Sequence, residues 1–328
     1  MEISDNRYDN IIYNRCGKSG LKLPIVSLGL WHNFGANCDY ENMKNMVKTA
    51  FDNGITHFDL ANNYGPPYGS AEISMGKILN DGLNKYRDEL IISTKAGYDM
   101  WAGPYGDWGS KKYLIASIDQ SLKRLNLEYV DIFYHHRMDP ETPLEETIEA
   151  LTRIVKSGKA LYVGLSNYDG HTMERACKLL YLYNVPFIIN QNRYSIFDRT
   201  IENNGLKLKS KKLGKGIIAY SPLAQGLLSD KYLNGIPDDS RIAADGRYLK
   251  EDAITRKRLE QIKNLNDLAK KRGESLAQMA LRWVLRDEEV TSVLIGASKP
   301  SQIIENLKII NKIPLTDEEL REIDNISL

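Results

Sequence analysis

The chain has 328 residues, 42% of them apolar and 27% charged, with a formal net charge of +1. That is the composition of an ordinary globular protein with enough apolar residues for a sizeable core. The near balance of charge excludes general nucleic-acid binding and a polybasic membrane patch, while leaving room for a local phosphate site.

No apolar run near the start suits a signal peptide, and no segment approaches membrane-spanning length, so a cytoplasmic protein without a membrane partner is expected. Cys16, Cys38 and Cys177 are far apart and odd in number. They read as free thiols in a reducing compartment, and no clustered ligand set points to a metal.

Short runs rich in Val, Ile, Leu, Phe and Tyr recur along the chain: 25–31, 56–60, 90–95, 130–135, 161–166, 187–191, 216–220 and 292–297. None alternates polar with apolar, as expected of strands buried on both faces. Amphipathic helical patterns lie between them over 42–53, 111–125, 142–157, 171–183, 200–213, 256–271, 275–286 and 300–311. Gly54 and Gly158 stand where helix-ending glycines belong. Strands alternating with helices in this way predict an α/β fold, a (β/α)8 TIM barrel spanning residues 1–328 as one domain. Upstream, 13–24 reads as a β-hairpin closing the barrel floor. Two connections, 97–110 and 221–255, are long enough to be rim loops with a binding role.

Three of the runs end in chemistry. Asp59 closes the second and is followed by Tyr64, Lys95 closes the third, and His136 follows the fourth. In such a barrel the C-terminal strand ends form the site. A free tyrosine has a pKa of about 10, too high for efficient proton donation at neutral pH. A neighbouring ammonium stabilises the phenolate, a carboxylate holds that ammonium, and an imidazole can orient a carbonyl oxygen. A rim salt bridge without chemistry would account for Asp59 and Lys95 alone, though less readily for all four. His57 and His135 are expected to turn away from the site or into packing.

FDLANNYGPPYGSAE from Phe58, STKAGY from Ser93, LNLEYVDIFYHHR from Leu125, SGKALYVGLSNY from Ser157, AYSPLAQGLLSDKY from Ala219 and IGASKPSQIIEN from Ile295 follow one another along the chain. On these segments the chain resembles the aldo-keto reductases. GLWHNFG from Gly29 and MWAGPYGDWGSKKYL from Met100 narrow it to the bacterial glyceraldehyde-3-phosphate reductases, relatives of the potassium-channel β subunits. Leu60 stands where many members carry Thr, and Asn167 where close relatives vary.

The resemblance implies an NADPH-dependent carbonyl reductase for small aldehydes, with glyceraldehyde 3-phosphate and methylglyoxal as substrates. It makes Tyr64 the proton donor, Lys95 and Asp59 its tuning pair and His136 the carbonyl-orienting group. Ser166, Asn167 and Gln191 would hold the nicotinamide carboxamide, Tyr220 would stack on the ring, and Trp31 would lie beside the cofactor. Ser221, Leu223, Gly226, Lys231 and Arg241 would wrap the pyrophosphate. Gly296, Ser298, Lys299, Gln302, Glu305 and Asn306 would take the adenosine end, with Ser298 and Lys299 favouring NADP(H) over NAD(H). Trp31, His32, Tyr64, Trp101, Tyr105 and His136 would wall the substrate pocket. A homo-oligomer, tetramer or octamer, is compatible with it.

Two other functions compete. Lys95 at a strand end could be the nucleophile of a Schiff-base lyase. A cofactor-binding, redox-sensing interaction protein like the channel β subunits would keep the cofactor segments with little turnover.

Overall fold

The computed structural model describes residues 1–233, 254–311 and 313–328. Ten strands are present among them: β1 Tyr13–Arg15, β2 Lys22–Pro24, β3 Val26–Gly29, β4 His57–Asp59, β5 Ile91–Ala96, β6 Val130–His135, β7 Ala160–Ser166, β8 Phe187–Arg193, β9 Gly216–Tyr220 and β10 Val290–Ile295. β3 to β10 pair in parallel and close on themselves, with β10 lying between β9 and β3. The predicted barrel is present. The last strand begins and ends two residues earlier than its apolar run suggested, and β8 continues two residues beyond Gln191.

The helices α1 Tyr40–Asp52, α2 Ser70–Ile78, α3 Lys111–Leu125, α4 Leu144–Lys156 and α5 Gly170–Leu182 follow β3 to β7 in turn. After β8, the pattern over 200–213 divides into α6 Thr200–Asn203 and α7 Leu206–Leu213. Gly205, at φ +78°, takes the left-handed turn that separates them. α8 Arg256–Lys271, α9 Leu276–Val284, α10 Pro300–Leu307 and α11 Asp317–Ser327 complete the described helices. No helix among the described residues is long and apolar enough to cross a membrane.

Two apolar clusters result. The larger lies between strands and helices; the smaller fills the barrel with Ile132, Tyr134, Ile188, Ile189, Ile218 and Leu294. Cys16 and Leu23 join the inner cluster from the hairpin, so β1 and β2 plug the floor as expected. The plug is pinned by the Lys18 N–H donating to Gly214 O (2.8 Å) and by Asn14 Nδ2 donating to Thr291 O (3.1 Å). Burial pushes the Cys16 thiol up to about 12, which keeps it protonated and unreactive.

Tyr134 stands opposite Gly164 in the β6–β7 register. A Cβ on Gly164 would fall 2.3 Å from Tyr134 Cδ1 and Cε1. Gly164→Ala is therefore expected to cost about 1–3 kcal/mol through overpacking. A urea midpoint unchanged from that of the unsubstituted chain would rule this out.

Candidate active site

The backbone ladder delivers the site residues. Beyond the strand ends, Leu60 N–H donates to Ser93 O, Asn62 N–H to Lys95 O and His136 N–H to Ala96 O, each at 2.9 Å. The barrel's parallel pairing thus continues into the first loop residues and fixes where their side chains start. Tyr64 follows on a turn held at both ends: its N–H donates to Ala61 O (3.1 Å) and its carbonyl accepts from Ala71 N–H (3.2 Å). Asn62 ties the same turn to α3 by donating to Tyr113 Oη (2.9 Å) and Ser117 Oγ (3.3 Å).

Lys95 and Asp59 are both fully buried, and Lys95 Nζ donates to Asp59 Oδ2 and to Leu60 O, each at 2.5 Å. Asp59 Oδ1 accepts from Ser93 Oγ (2.6 Å) and Gln191 Nε2 (3.1 Å). Lys95 Nζ lies 4.8 Å from the centre of the Tyr64 ring. The Tyr64 and His136 rings meet edge-on with centres 5.9 Å apart. The four predicted groups are thus together. Burial pulls the Lys95 ammonium below the ordinary lysine range, and Asp59, with Glu72 behind it, opposes that pull. His136 is held well below the usual histidine range by burial, then by Lys95, His135 and Arg137, so its imidazole is neutral. Its buried Nδ1 has no hydrogen-bond partner among the described residues.

This geometry suits proton delivery from Tyr64 with a cation behind it. It does not suit Lys95 as a nucleophile, because its ammonium is already engaged by Asp59 and by the Leu60 carbonyl.

Trp31 stands 5.8 Å from Tyr64 and 3.8 Å from His32, ring centre to ring centre, which places both at the mouth. Trp101 leans on Tyr113 at 5.1 Å. Tyr105 has an exposed side chain, with Lys112 Nζ 5.2 Å over its ring. Tyr98, which the sequence reading missed, lies beside His136 with ring centres 4.7 Å apart, edge-on. Arg137, also missed, secures this side. It donates to Gly97 O (2.7 Å) and to both oxygens of Asp107 (2.8 and 3.0 Å), and lies between the rings of Tyr98 and Trp108. The loop over 97–110 is thereby tied to the residue after His136. No periodicity marks such a clamp.

His57 and His135 are buried and packed, as expected, but His57 does not turn away. It is two residues before Asp59, so strand alternation puts both side chains inside the barrel. Its two ring nitrogens lie 2.9 Å from Ser27 Oγ and Ser93 Oγ. His135 faces the helices, with Nδ1 2.7 Å from Tyr168 Oη.

Along the opposite arc, Ser166 at the end of β7 and Gln191 near the end of β8 are register partners. Asn167, at φ +58°, donates from Nδ2 to His136 O (2.9 Å) and accepts at Oδ1 from Tyr220 Oη (2.8 Å). A hydroxyl, two amides and a phenol ring on one arc match the donors, acceptors and flat face of a nicotinamide carboxamide. Ser221, Leu223 and Gly226 follow β9 in tight turns, and Lys231 lies just beyond. Arg241 lies outside the described residues. Near the start of α10 a Cβ on Gly296 would meet nothing within 4 Å, leaving the backbone open to a ligand. Lys299 caps that helix. Ser298 gives both its N–H and its Oγ to Gln302 Oε1 (2.7 and 3.2 Å). Glu305 is paired with Lys308 (2.6 Å), and Asn306 is buried.

A model of the aldo/keto reductase family matches residues 25–328. The chain belongs to that family. It is also 54% identical to the L-glyceraldehyde 3-phosphate reductases of Escherichia coli O157:H7 and of Escherichia coli strain K12, in each case over 321 residues, 97% of this chain and 93% of the relative. As a member of the aldo/keto reductases it is an oxidoreductase, and the barrel mouth described above is where family chemistry has to be sought.

The buried histidines of this site set an acid limit on stability. Burial lowers His57 and His135 from 6.5 to about 4. Between those values the unfolded chain binds the protons and the folded chain does not, so stability rises with pH across that window. It is complete above about pH 6.5 and is lost on acidification toward pH 4, by roughly 3 kcal/mol for each group. Urea unfolding at pH 7 and pH 4.5 checks this, and equal stabilities would contradict it.

Proposed function

We propose that the chain reduces small aldehydes with NADPH, glyceraldehyde 3-phosphate and methylglyoxal among them, and that Tyr64 supplies the proton. The observation that carries the reading is the buried Lys95–Asp59 pair with Lys95 Nζ 4.8 Å from the Tyr64 ring. The relatives' name supports glyceraldehyde 3-phosphate as the substrate.

When bound, the nicotinamide cofactor supplies the hydride for the carbonyl carbon. The residues of this chain supply the rest. Neutral His136 hydrogen-bonds the carbonyl oxygen and orients it toward Tyr64. The Tyr64 O–H bond breaks as its proton passes to that oxygen, and the Lys95 ammonium stabilises the phenolate left behind. Asp59 keeps the ammonium in place. Trp31, His32, Trp101 and Tyr98 exclude water from the aldehyde. Ser166, Asn167 and Gln191 hold the carboxamide and Tyr220 covers the ring. The segment from Ser221 to Lys231 takes the pyrophosphate, and that from Gly296 to Asn306 takes the adenosine. Preference for NADPH rests on Lys299 and on release of Ser298 by Gln302 to receive a 2′-phosphate.

Tyr64→Phe should lower kcat for methylglyoxal by at least about 10²-fold, the contribution of a positioned acid, with NADPH still bound tightly by fluorescence titration. Wild-type turnover by this variant would remove Tyr64 from the mechanism. Lys299→Met should raise KM for NADPH by about tenfold, as loss of one bond to a charged group would, and leave KM for NADH unchanged. Equal effects on both cofactors would show that Lys299 does not read the 2′-phosphate. Absorbance loss at the reduced nicotinamide band reports each case, and failure of both aldehydes to oxidise either cofactor would overturn the reductase reading.

A further inference from the structure

Beneath the mouth, polar side chains of the barrel interior form a continuous line. Ser292 Oγ lies 2.7 Å from Ser27 Oγ, Ser27 Oγ 2.9 Å from His57 Nδ1, and His57 Nε2 2.9 Å from Ser93 Oγ. Ser93 Oγ donates to Asp59 Oδ1 at 2.6 Å. All five residues are fully buried.

Heavy-atom distances leave the first three links undirected, but the last one directs them all. Asp59, paired with Lys95, is a carboxylate and only accepts. The single hydroxyl proton of Ser93 goes to it, so toward His57 the Ser93 oxygen can only accept, and the His57 proton is on Nε2. A neutral imidazole then has a bare Nδ1, which accepts from Ser27. That bond uses the Ser27 proton, so Ser27 accepts from Ser292. Burial, with Lys95 nearby, holds His57 down to about 4, so the ring is neutral at pH 7.

We propose that His57 is a positioning residue for the reaction. Protonated at Nε2, it completes a one-way hydrogen-bonded chain from Ser292 through Ser27 and Ser93 whose donors all point toward the Asp59 carboxylate. The chain spreads the Asp59 charge and so limits how strongly Asp59 competes with Tyr64 for the Lys95 ammonium. The link to turnover rests on the catalytic reading above; the direction of the hydrogen bonds does not.

The groups facing this chain are few. His57 senses Asp59 and Lys95. Lys95 faces Glu72 from α2 and acts on His136 from β5. Tyr134 on β6 lies near Asp59, and Cys16 of the hairpin near Tyr134. Gln191 shares Asp59 Oδ1 with Ser93. Breaking the bond at Ser93 leaves a more concentrated charge on Asp59. Lys95 then keeps its proton to higher pH and stabilises the Tyr64 phenolate less, and both effects move the alkaline limb of the rate profile upward.

Long-range ¹⁵N correlation spectra of the ¹⁵N-histidine-labelled chain at pH 7 read the tautomer directly. The His57 signals are assigned by their loss in His57→Gln or their displacement in Ser93→Ala. We expect the Nε2–H form, and an Nδ1–H tautomer or an imidazolium overturns the proposal without any variant needing to be active. In kinetics, Ser93→Ala should move the alkaline limb of kcat/KM up by about one pH unit, the equivalent of one bond to a charged group, and Ser93→Thr should restore it. A limb that stays in place in folded Ser93→Ala overturns the positioning role. Turnover surviving in Tyr64→Phe would instead sink the catalytic reading and leave the tautomer result standing.

Discussion

An ion pair with no access to water is the constraint around which this barrel is organised. Taking an ammonium and a carboxylate out of water costs several kcal/mol for each, and their attraction offsets that only when the remaining lone pairs and protons find partners. Here they do. Lys95 has the Leu60 carbonyl besides Asp59, and Asp59 has Ser93 and Gln191 besides Lys95. Those partners come from two strands and one loop, and together with the pair itself they fix the relative placement of β4, β5 and β8. A hydrophobic pair would fill the same volume with less risk to stability. The pair is kept in spite of that, with the Tyr64 ring 4.8 Å from Lys95 Nζ.

The same requirement explains the surroundings of the site. The closeness of Lys95 to the Tyr64 ring depends on a rigid turn, which the Ala61 and Ala71 backbone bonds and Asn62 against α3 provide. His136 stays a neutral ring because its side of the pocket is dry. Arg137 contributes to this by locking Tyr98 and the loop over 97–110 against it.

The barrel was legible because its strands are buried on both faces and stand out as unbroken apolar runs. The grouping of Asp59, Lys95 and His136 was legible because each sits at or just past the end of such a run, with Tyr64 on the turn after the second. α2 was not, since Ser70, Glu72 and Ser74 lie on its buried side and break the apolar stripe. Glu72 is there to meet Arg124 and Thr94, pairings that no local pattern announces. α11 did carry a signal, the Thr316–Glu319 capping box, which the apolar periodicity was too weak to bring forward. For His57 the alternation rule pointed inward from the start, since it stands two residues from Asp59. Tyr98 and Arg137 depend on a loop folding back over a strand end, which is a matter of tertiary contact.

The seam of the barrel joins β3 to β10, so Val26 lies beside Val293 across most of the chain. Loops of that length close slowly, because the entropy of bringing their ends together must be met before any contact across them forms. On a ribosome releasing the chain from its N-terminus, β4 and β5 can associate early and bring Asp59 beside Lys95. Ser27 waits for Ser292 until nearly all the other strands have emerged. The Lys95–Asp59 pair thus joins strands close in sequence, whereas its hydrogen-bonded support through Ser27 and Ser292 closes only across the whole length of the barrel.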